Sequence, residues 1–218
     1  SRSIGFALLA AVWAAPTQAQ VNAGALYETH CAVCHGASRL GGTGPALIPQ
    51  NMGRLRGPAI SKVIAEGRNA TQMQGFAQVL KPDEIEALTA FVSKPLDKAP
   101  VWGAAEIAAS RVIERKADPA AKPVFKADPL NLFVVVEVGD HHATILDGDK
   151  LEALTRFPTR FALHGGPKFS PDGRFVYFMS RDGWVEKYDI WTLSKIGEVR
   201  AGVNSRNITL SPDGKHIA

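Results

Sequence analysis

The spacing of apolar positions changes partway along the chain, and the change divides it. Up to about residue 95 the apolar residues recur at helical intervals. "KPDEIEALTAFV" puts Ile85, Leu88, Phe91 and Val92 on one stripe, and "NAGALYETHCAVCHG" carries Ala25, Leu26 and two cysteines near one face. The first of these helices opens with Lys81-Pro82 and has acidic residues in its first turn, where the helix dipole favours them. Further on the period becomes that of strands. "NLFVVVEVGDHHATILDGDKLEALTRF" reads as strand, Gly-Asp turn, strand and polar loop, and "RFVYFMSRDGWVEKYDIWTLSKIGEV" repeats that order. Val134 then aligns with Val176, Asp140 with Asp182 and Asp147 with Asp189, at an offset of 42 in the numbering. "FSPDGR" at 169–174 recurs as "LSPDGK" at 210–215, a turn in which Pro presets φ, Asp caps its own backbone and Gly takes a positive φ. A period near 40 with four short strands per unit marks β-propeller blades, with a β-sandwich as the alternative. About two blades are present, of a ring that needs at least about four, so the sequence is expected to belong to a longer protein.

Between the two regimes, "KPLDKAP" and "KADPAAKPVFKADP" are rich in Pro, Lys and Ala, as linkers are. "WGAAEIAASRVI" within them predicts a short helix with Trp102 and Ile107 tucked against a domain, so the connector is expected to be structured. At the other end, an apolar run from Ile4 to Ala15 is too short to span a bilayer and is followed by Thr17-Gln18-Ala19, a small-x-small cleavage pattern. This predicts an export signal over 1–19 and a periplasmic mature protein with no membrane span; an ordinary N-terminal helix is the alternative. The net charge of +4 is scattered rather than clustered, which argues against a nucleic-acid partner.

The two cysteines of the chain both fall in "YETHCAVCHGAS", as Cys31 and Cys34 followed by His35. C-x-x-C-H is the spacing of covalent c-type haem attachment. Two intervening residues bring both thiols to one turn, where each can add to a vinyl group, and His35 can reach the iron. A disulfide redox pair or half a zinc site are the alternatives, but the zinc site lacks further ligands at matching spacing. "GTGPALIPQ" supplies a Gly-Pro-x-Leu loop resembling that of c-type cytochromes, which implies that the Pro45 carbonyl accepts the Nδ1–H of His35. "ATQMQGFAQVL" resembles the distal loop of small bacterial cytochromes c, with Met73 and Phe76 in place and the usual proline missing. Met73 is therefore the expected distal iron ligand, with Met52 as its competitor. A Met/His pair suits electron transfer. The domains expected are 20–95 (all-α monohaem cytochrome c), 96–126 (linker) and 127–218 (all-β propeller), a multidomain chain.

His164, in "RFALHGGPKFSPDGR", and Arg206 stand at matching repeat positions ahead of the two Ser-Pro-Asp-Gly turns. In a propeller that position lies near the central channel. Spacing alone leaves two readings open: residues that bond loops, or an iron ligand paired with a cation for haem carboxylates. A monohaem cytochrome c joined to a propeller resembles the cytochrome cd1 family. The likeness runs through "CAVCH", "MQGF", "WGAAEIAASR", "ALHGGPKFSPDGRFVYFMSRDGWVEKYDIW" and "GVNSRNITLSPDGK". It implies an eight-bladed propeller binding haem d1 or dihydro-haem d1 without covalent attachment. It also implies that His164 is the haem d1 iron ligand, and that Arg206 and Arg181 line that pocket. Two activities occur in the family: oxidation of dihydro-haem d1 to haem d1, and reduction of nitrite to nitric oxide. The short arm before Cys31 and the "WGAAEIAASR" connector look more like the former. That implies a tetrapyrrole substrate, periplasmic electron-transfer proteins as partners, and acid–base residues on blades outside this sequence. A non-catalytic electron-transfer protein with a propeller scaffold is the alternative of another class.

Overall fold

The computed structural model describes residues 21–205 and 207–218. The segment 1–19, read above as an export signal, and Arg206 lie outside them.

The first helix, α1 (Ala23–His30), starts where the Asn22 carboxamide oxygen accepts the Ala25 N–H at 3.1 Å. The apolar pattern predicts one helix through the attachment motif. Instead the chain breaks at Cys31 and resumes as α2 (Ala32–His35). Tyr27 is the residue that fixes this corner. It is 1% exposed, and its hydroxyl donates to the Gly36 carbonyl at 2.7 Å. Gly36 ends α2 at φ 75°, with the chain folding back so closely that a Cβ there would lie 2.7 Å from the Gly41 carbonyl oxygen.

Three further helices complete this part: α3 (Pro49–Met52), α4 (Pro58–Glu66) and α5 (Pro82–Ser93). All three begin on proline, whose missing N–H costs nothing in a first turn. In α5 the Glu84 carboxylate also accepts the Lys81 N–H at 2.8 Å. The core joins Tyr27, Ile60, Ile64, Phe76, Leu80, Ile85, Leu88 and Val92. Phe91, expected on the α5 stripe, is half-buried at its border and meets the Tyr27 ring at 5.4 Å.

The connector holds α6 (Ala104–Ala109) and a two-residue strand, β1 (Val112–Ile113). Seven strands follow: β2 (Leu132–Glu137), β3 (His142–Asp147), β4 (Ala153–Pro158), β5 (Lys168–Phe169), β6 (Phe175–Met179), β7 (Trp184–Asp189) and β8 (Ser194–Arg200). They form two antiparallel sheets, ordered β2-β3-β4 and β1-β8-β7-β6-β5. The repeat offset survives in space, since β3 and β7 begin and end 42 residues apart.

The two sheets stack face to face. Ala143 and Ile145 of β3 pack with Val176 and Phe178 of β6 and with Tyr188 of β7, and the Phe157 and Tyr188 rings lie parallel at 3.9 Å. The far face of the second sheet carries Tyr177, Met179 and Val185 against Ile208, where a further hairpin begins with Leu210 opposite Ile217. Sheets stacked face to face in sequence order, with β2–β4 and β5–β8 each a meander, are the propeller arrangement rather than a sandwich of two interleaved sheets.

Four strands per repeat hold for the second sheet only. In the first, no strand pairs with the free edge of β2 among the described residues. The chain ahead of β2 is used elsewhere: the Val124 N–H donates to the Trp191 carbonyl at 2.9 Å, and Phe125 fills the core between the sheets.

Candidate functional site: two haem-type centres

Local geometry around the C-x-x-C-H turn is set by its following loop. The Gly41 N–H donates to the His35 carbonyl at 2.9 Å, and the Gly44 N–H donates to the Cys34 carbonyl at 2.8 Å. This returns the chain over the imidazole, so that a Cβ at Gly44 would stand 2.8 Å from the ring carbon Cε1. Pro45 then presents its carbonyl oxygen 2.7 Å from His35 Nδ1. The bond expected from the Gly-Pro loop is in place. It keeps the proton on Nδ1 and leaves the Nε2 lone pair for a metal. Burial at 7% exposure lowers the His35 pKa, only partly opposed by the Pro45 carbonyl, so the ring is held neutral.

Cys31 is half-buried and Cys34 exposed, and the two are not joined in a disulfide. Burial, with Cys34 adding to it, pushes the Cys31 thiol up to about 11. A thiol of that kind is a poor redox nucleophile, which disfavours the dithiol reading.

Met73 sits at the end of a tight loop after α4. Its carbonyl accepts the Arg68 N–H at 2.9 Å, and its own N–H donates to Thr71 Oγ1 at 3.1 Å. Gly67 and Gly75 let the two sides of this loop touch. A Cβ on Gly67 would lie 2.5 Å from the Met73 oxygen, and one on Gly75 would lie 2.6 Å from the Ala65 oxygen. The glycine pair therefore shapes a loop that lacks the proline expected from its resemblance to small bacterial cytochromes c. Met73, Met52 and Cys31 are all half-buried against the same apolar cluster. Two thiols, an imidazole with its outer nitrogen hydrogen-bonded, and a thioether on an apolar wall are a donor set that fits a covalently held haem.

His164, the residue expected at a second centre, lies in an irregular loop containing Ala162 at φ 44°, Gly165 at φ 83° and Gly166 at φ 71°. Its side chain is exposed. Two backbone bonds stitch the loop to the β6–β7 turn: His164 N–H to the Met179 carbonyl at 2.8 Å, and Arg181 N–H to the Ala162 carbonyl at 3.1 Å. The Ser205 N–H in turn donates to the Arg181 carbonyl at 3.0 Å. The segments carrying His164 and Arg181 and the residue preceding Arg206 are thus neighbours.

Sequence reasoning missed Asp182 and Arg200. Asp182 is 1% exposed; its Oδ1 accepts from Ser180 Oγ, while its Oδ2 has no hydrogen-bond partner. Burial raises its pKa, against the pull of the Arg200 and Arg160 cations. Its repeat partner Asp140 is exposed and paired with Arg156, so the alignment carried no hint of a buried acid. Arg200 had a visible signal, because the repeat offset places Pro158 at the equivalent point of the first sheet.

Residues 127–218 match the family described as the cytochrome D1 heme domain, and residues 18–92 match that of cytochrome C oxidase, cbb3-type, subunit III. The chain is 52% identical over 217 residues to the dihydro-heme d1 dehydrogenase of Pseudomonas aeruginosa, covering 99% of this chain and 44% of that protein. It is 25% identical over 205 residues to the nitrite reductase of Stutzerimonas stutzeri, covering 85% of this chain and 36% of that one. Among solved structures, dihydro-heme d1 dehydrogenase NirN in complex with DHE superposes with a TM-score of 0.79 at 54% identity, over 88% of this chain and 42% of that one. The chain thus spans less than half the length of these relatives. With a c-type cytochrome fold ahead of a d1-type propeller start, and both parts matched in that order, the chain belongs to the cytochrome cd1 family.

Proposed function

We propose that the protein oxidises dihydro-haem d1 to haem d1, a dehydrogenation in haem d1 synthesis. The observation that carries this reading is the contrast in identity: 52% to a dihydro-heme d1 dehydrogenase across nearly the whole chain, against 25% to a nitrite reductase. The arrangement supports it. Cys31 and Cys34 would hold haem c through their thiols and His35 and Met73 would ligate its iron, with the Pro45 carbonyl orienting the His35 ring. When bound, haem c supplies a one-electron acceptor suited to taking up reducing equivalents singly. His164 holds the iron of the tetrapyrrole substrate, and Arg181 and Arg206 pair with its carboxylates. None of these residues is assigned the proton transfers that the dehydrogenation also requires.

On the same reading the domains are 20–95 and 127–218 joined by 96–126, the propeller is eight-bladed, and residues 1–19 direct export to the periplasm. There the protein passes electrons to soluble carriers. Among the described residues no helix is long and apolar enough to cross a membrane.

Adding dihydro-haem d1 to the full-length protein should produce a d1-type absorption band toward the red, and His164→Ala should abolish it while leaving the haem c spectrum intact. Nitrite turnover at a rate comparable to haem c reduction would instead select the reductase. Absence of tetrapyrrole binding would sink both readings in favour of a plain electron-transfer protein.

A further inference from the structure

Arg200 closes β8 and is the point at which three parts of the chain meet. It is 8% exposed. Its Nε donates to the Asp182 carbonyl at 2.9 Å and to the Gly202 carbonyl at 3.2 Å, and its Nη2 donates to the Leu40 carbonyl. The guanidinium lies over the Trp102 ring at 4.8 Å, while Trp102 Nε1 donates to the Arg200 carbonyl at 2.9 Å. Ser110 Oγ accepts the Arg200 N–H at 2.9 Å. One side chain therefore holds the β6–β7 turn, the connector and the loop that follows the cysteine motif. That grip ends close to the first centre, because Gly41, the residue after Leu40, donates its N–H to the His35 carbonyl.

Two features show that the site is built for this contact. The blade fold does not need an arginine here, since Pro158 ends the equivalent strand of the first sheet. And the approach is close: a Cβ on Gly41 would lie 3.4 Å from the Asp182 Cβ, and Gly41 holds φ 91°. The Arg200 guanidinium is held here by backbone carbonyls, and its burial lowers its pKa against the opposing pull of nearby Asp182. Asn51 adds a second point on the same seam, its Nδ2 donating to the Val203 carbonyl at 2.7 Å.

We propose that Arg200 is a positioning residue that fixes the haem-attachment loop against the propeller, and thereby sets the rate at which electrons cross from the tetrapyrrole site to haem c. The seam itself stands on the geometry; what crosses it rests on the dehydrogenase reading. Only a planar fork reaches three carbonyls on two parts of the chain, so lysine should not substitute.

The test uses full-length protein with haem c attached, as Arg200→Met and Arg200→Lys. In both, amide exchange across residues 40–44 should accelerate about tenfold while α5 exchanges as before. The red-end band on adding dihydro-haem d1 and the reduction of haem c by ascorbate should be unchanged. Single-turnover reduction of haem c by bound dihydro-haem d1 should fall about tenfold or more, because small displacements between reacting partners are costly. If either variant fails to fold, Asn51→Ala should show the same pattern more weakly. Unchanged exchange with an unchanged rate would overturn the proposal. So would loss of the red-end band with unchanged exchange, which would place Arg200 in the pocket's service instead. A wild-type protein that binds the tetrapyrrole yet never reduces haem c defeats the dehydrogenase reading, and the exchange result would still decide the seam.

Discussion

A single buried side chain shows where residue chemistry could be read from sequence and where it could not. Cys31, Cys34 and His35 declare themselves because their partners are a few residues away, and Pro45 is only ten positions from the ring it orients. Asp182 and Arg200 could not be read so, because the Leu40 carbonyl that Arg200 meets is 160 residues distant and the burial of Asp182 comes from that same encounter. Asp182 makes a testable statement about pH. Its pKa is raised in the folded protein by burial, so between the ordinary carboxylate value of 3.8 and that raised value the folded state binds more proton than the unfolded one. Its contribution is therefore fully present below pH 3.8 and is lost as pH rises through the folded pKa. Asp182→Asn removes the titration. Relative to wild type, the variant should gain stability as pH rises across that window, by about 1 kcal/mol for each unit of pKa shift removed. Urea midpoints of the two full-length proteins at acid and neutral pH measure it; parallel curves would count against a raised Asp182.

At the scale of elements, the repeat predicted strand positions well because period-two patterning and the Ser-Pro-Asp-Gly turn are both local. The turn forms twice with the same bonds: the Arg174 and Lys215 N–H groups each reach the turn aspartate at 3.1 Å, with Gly173 at φ 71° and Gly214 at φ 67°. What the pattern could not convey was where flanking segments go. The break of the first helix at Cys31 is imposed by the Tyr27–Gly36 bond, and the missing fourth strand of the first sheet reflects a chain drawn across to Trp191. The repeat also hid an asymmetry between the aligned aspartates. Asp147 accepts the Asp149 N–H at 2.9 Å within its own turn. Asp189, 0% exposed, in addition receives Arg174 Nε and Nη2, the latter at 2.7 Å, and Arg174 carries the Asp118 carbonyl at 2.7 Å. Removing one partner of a buried pair strands the other, so Asp189→Ala should cost the full-length protein about 3–5 kcal/mol. Asp147→Ala should cost about 1 kcal/mol, the value of a turn cap. Denaturant titrations of both variants read the difference, and equal losses would mean that the repeat is energetically symmetric after all.

For the molecule as a whole, the first sheet has two unlike faces. Leu132, Val134 and Val136 of β2 pack toward the second sheet, while Phe133 and Val135 point the other way and remain 51% and 42% exposed. A strand with one solvated face should alternate apolar with polar, yet β2 reads Leu-Phe-Val-Val-Val-Glu, the continuous apolar run of a strand covered on both sides. The relatives are more than twice as long as this chain, and in a closed ring every blade face meets a neighbour. The whole protein should therefore cover Phe133 with another blade. Phe133→Asp then places a carboxylate in a buried apolar seam, at a cost of about 2–3 kcal/mol in the full-length protein. Leu151 provides the control, being 67% exposed on the β3–β4 turn with φ 58°, a conformation that aspartate tolerates. Leu151→Asp should stay within about 0.5 kcal/mol of wild type. Should the two variants unfold at the same denaturant concentration, the outer face of the first blade is solvent-facing and the ring does not close over it. A large loss confined to Phe133→Asp would instead mean that another part of the full-length protein covers this face, as the continuous apolar run of β2 requires.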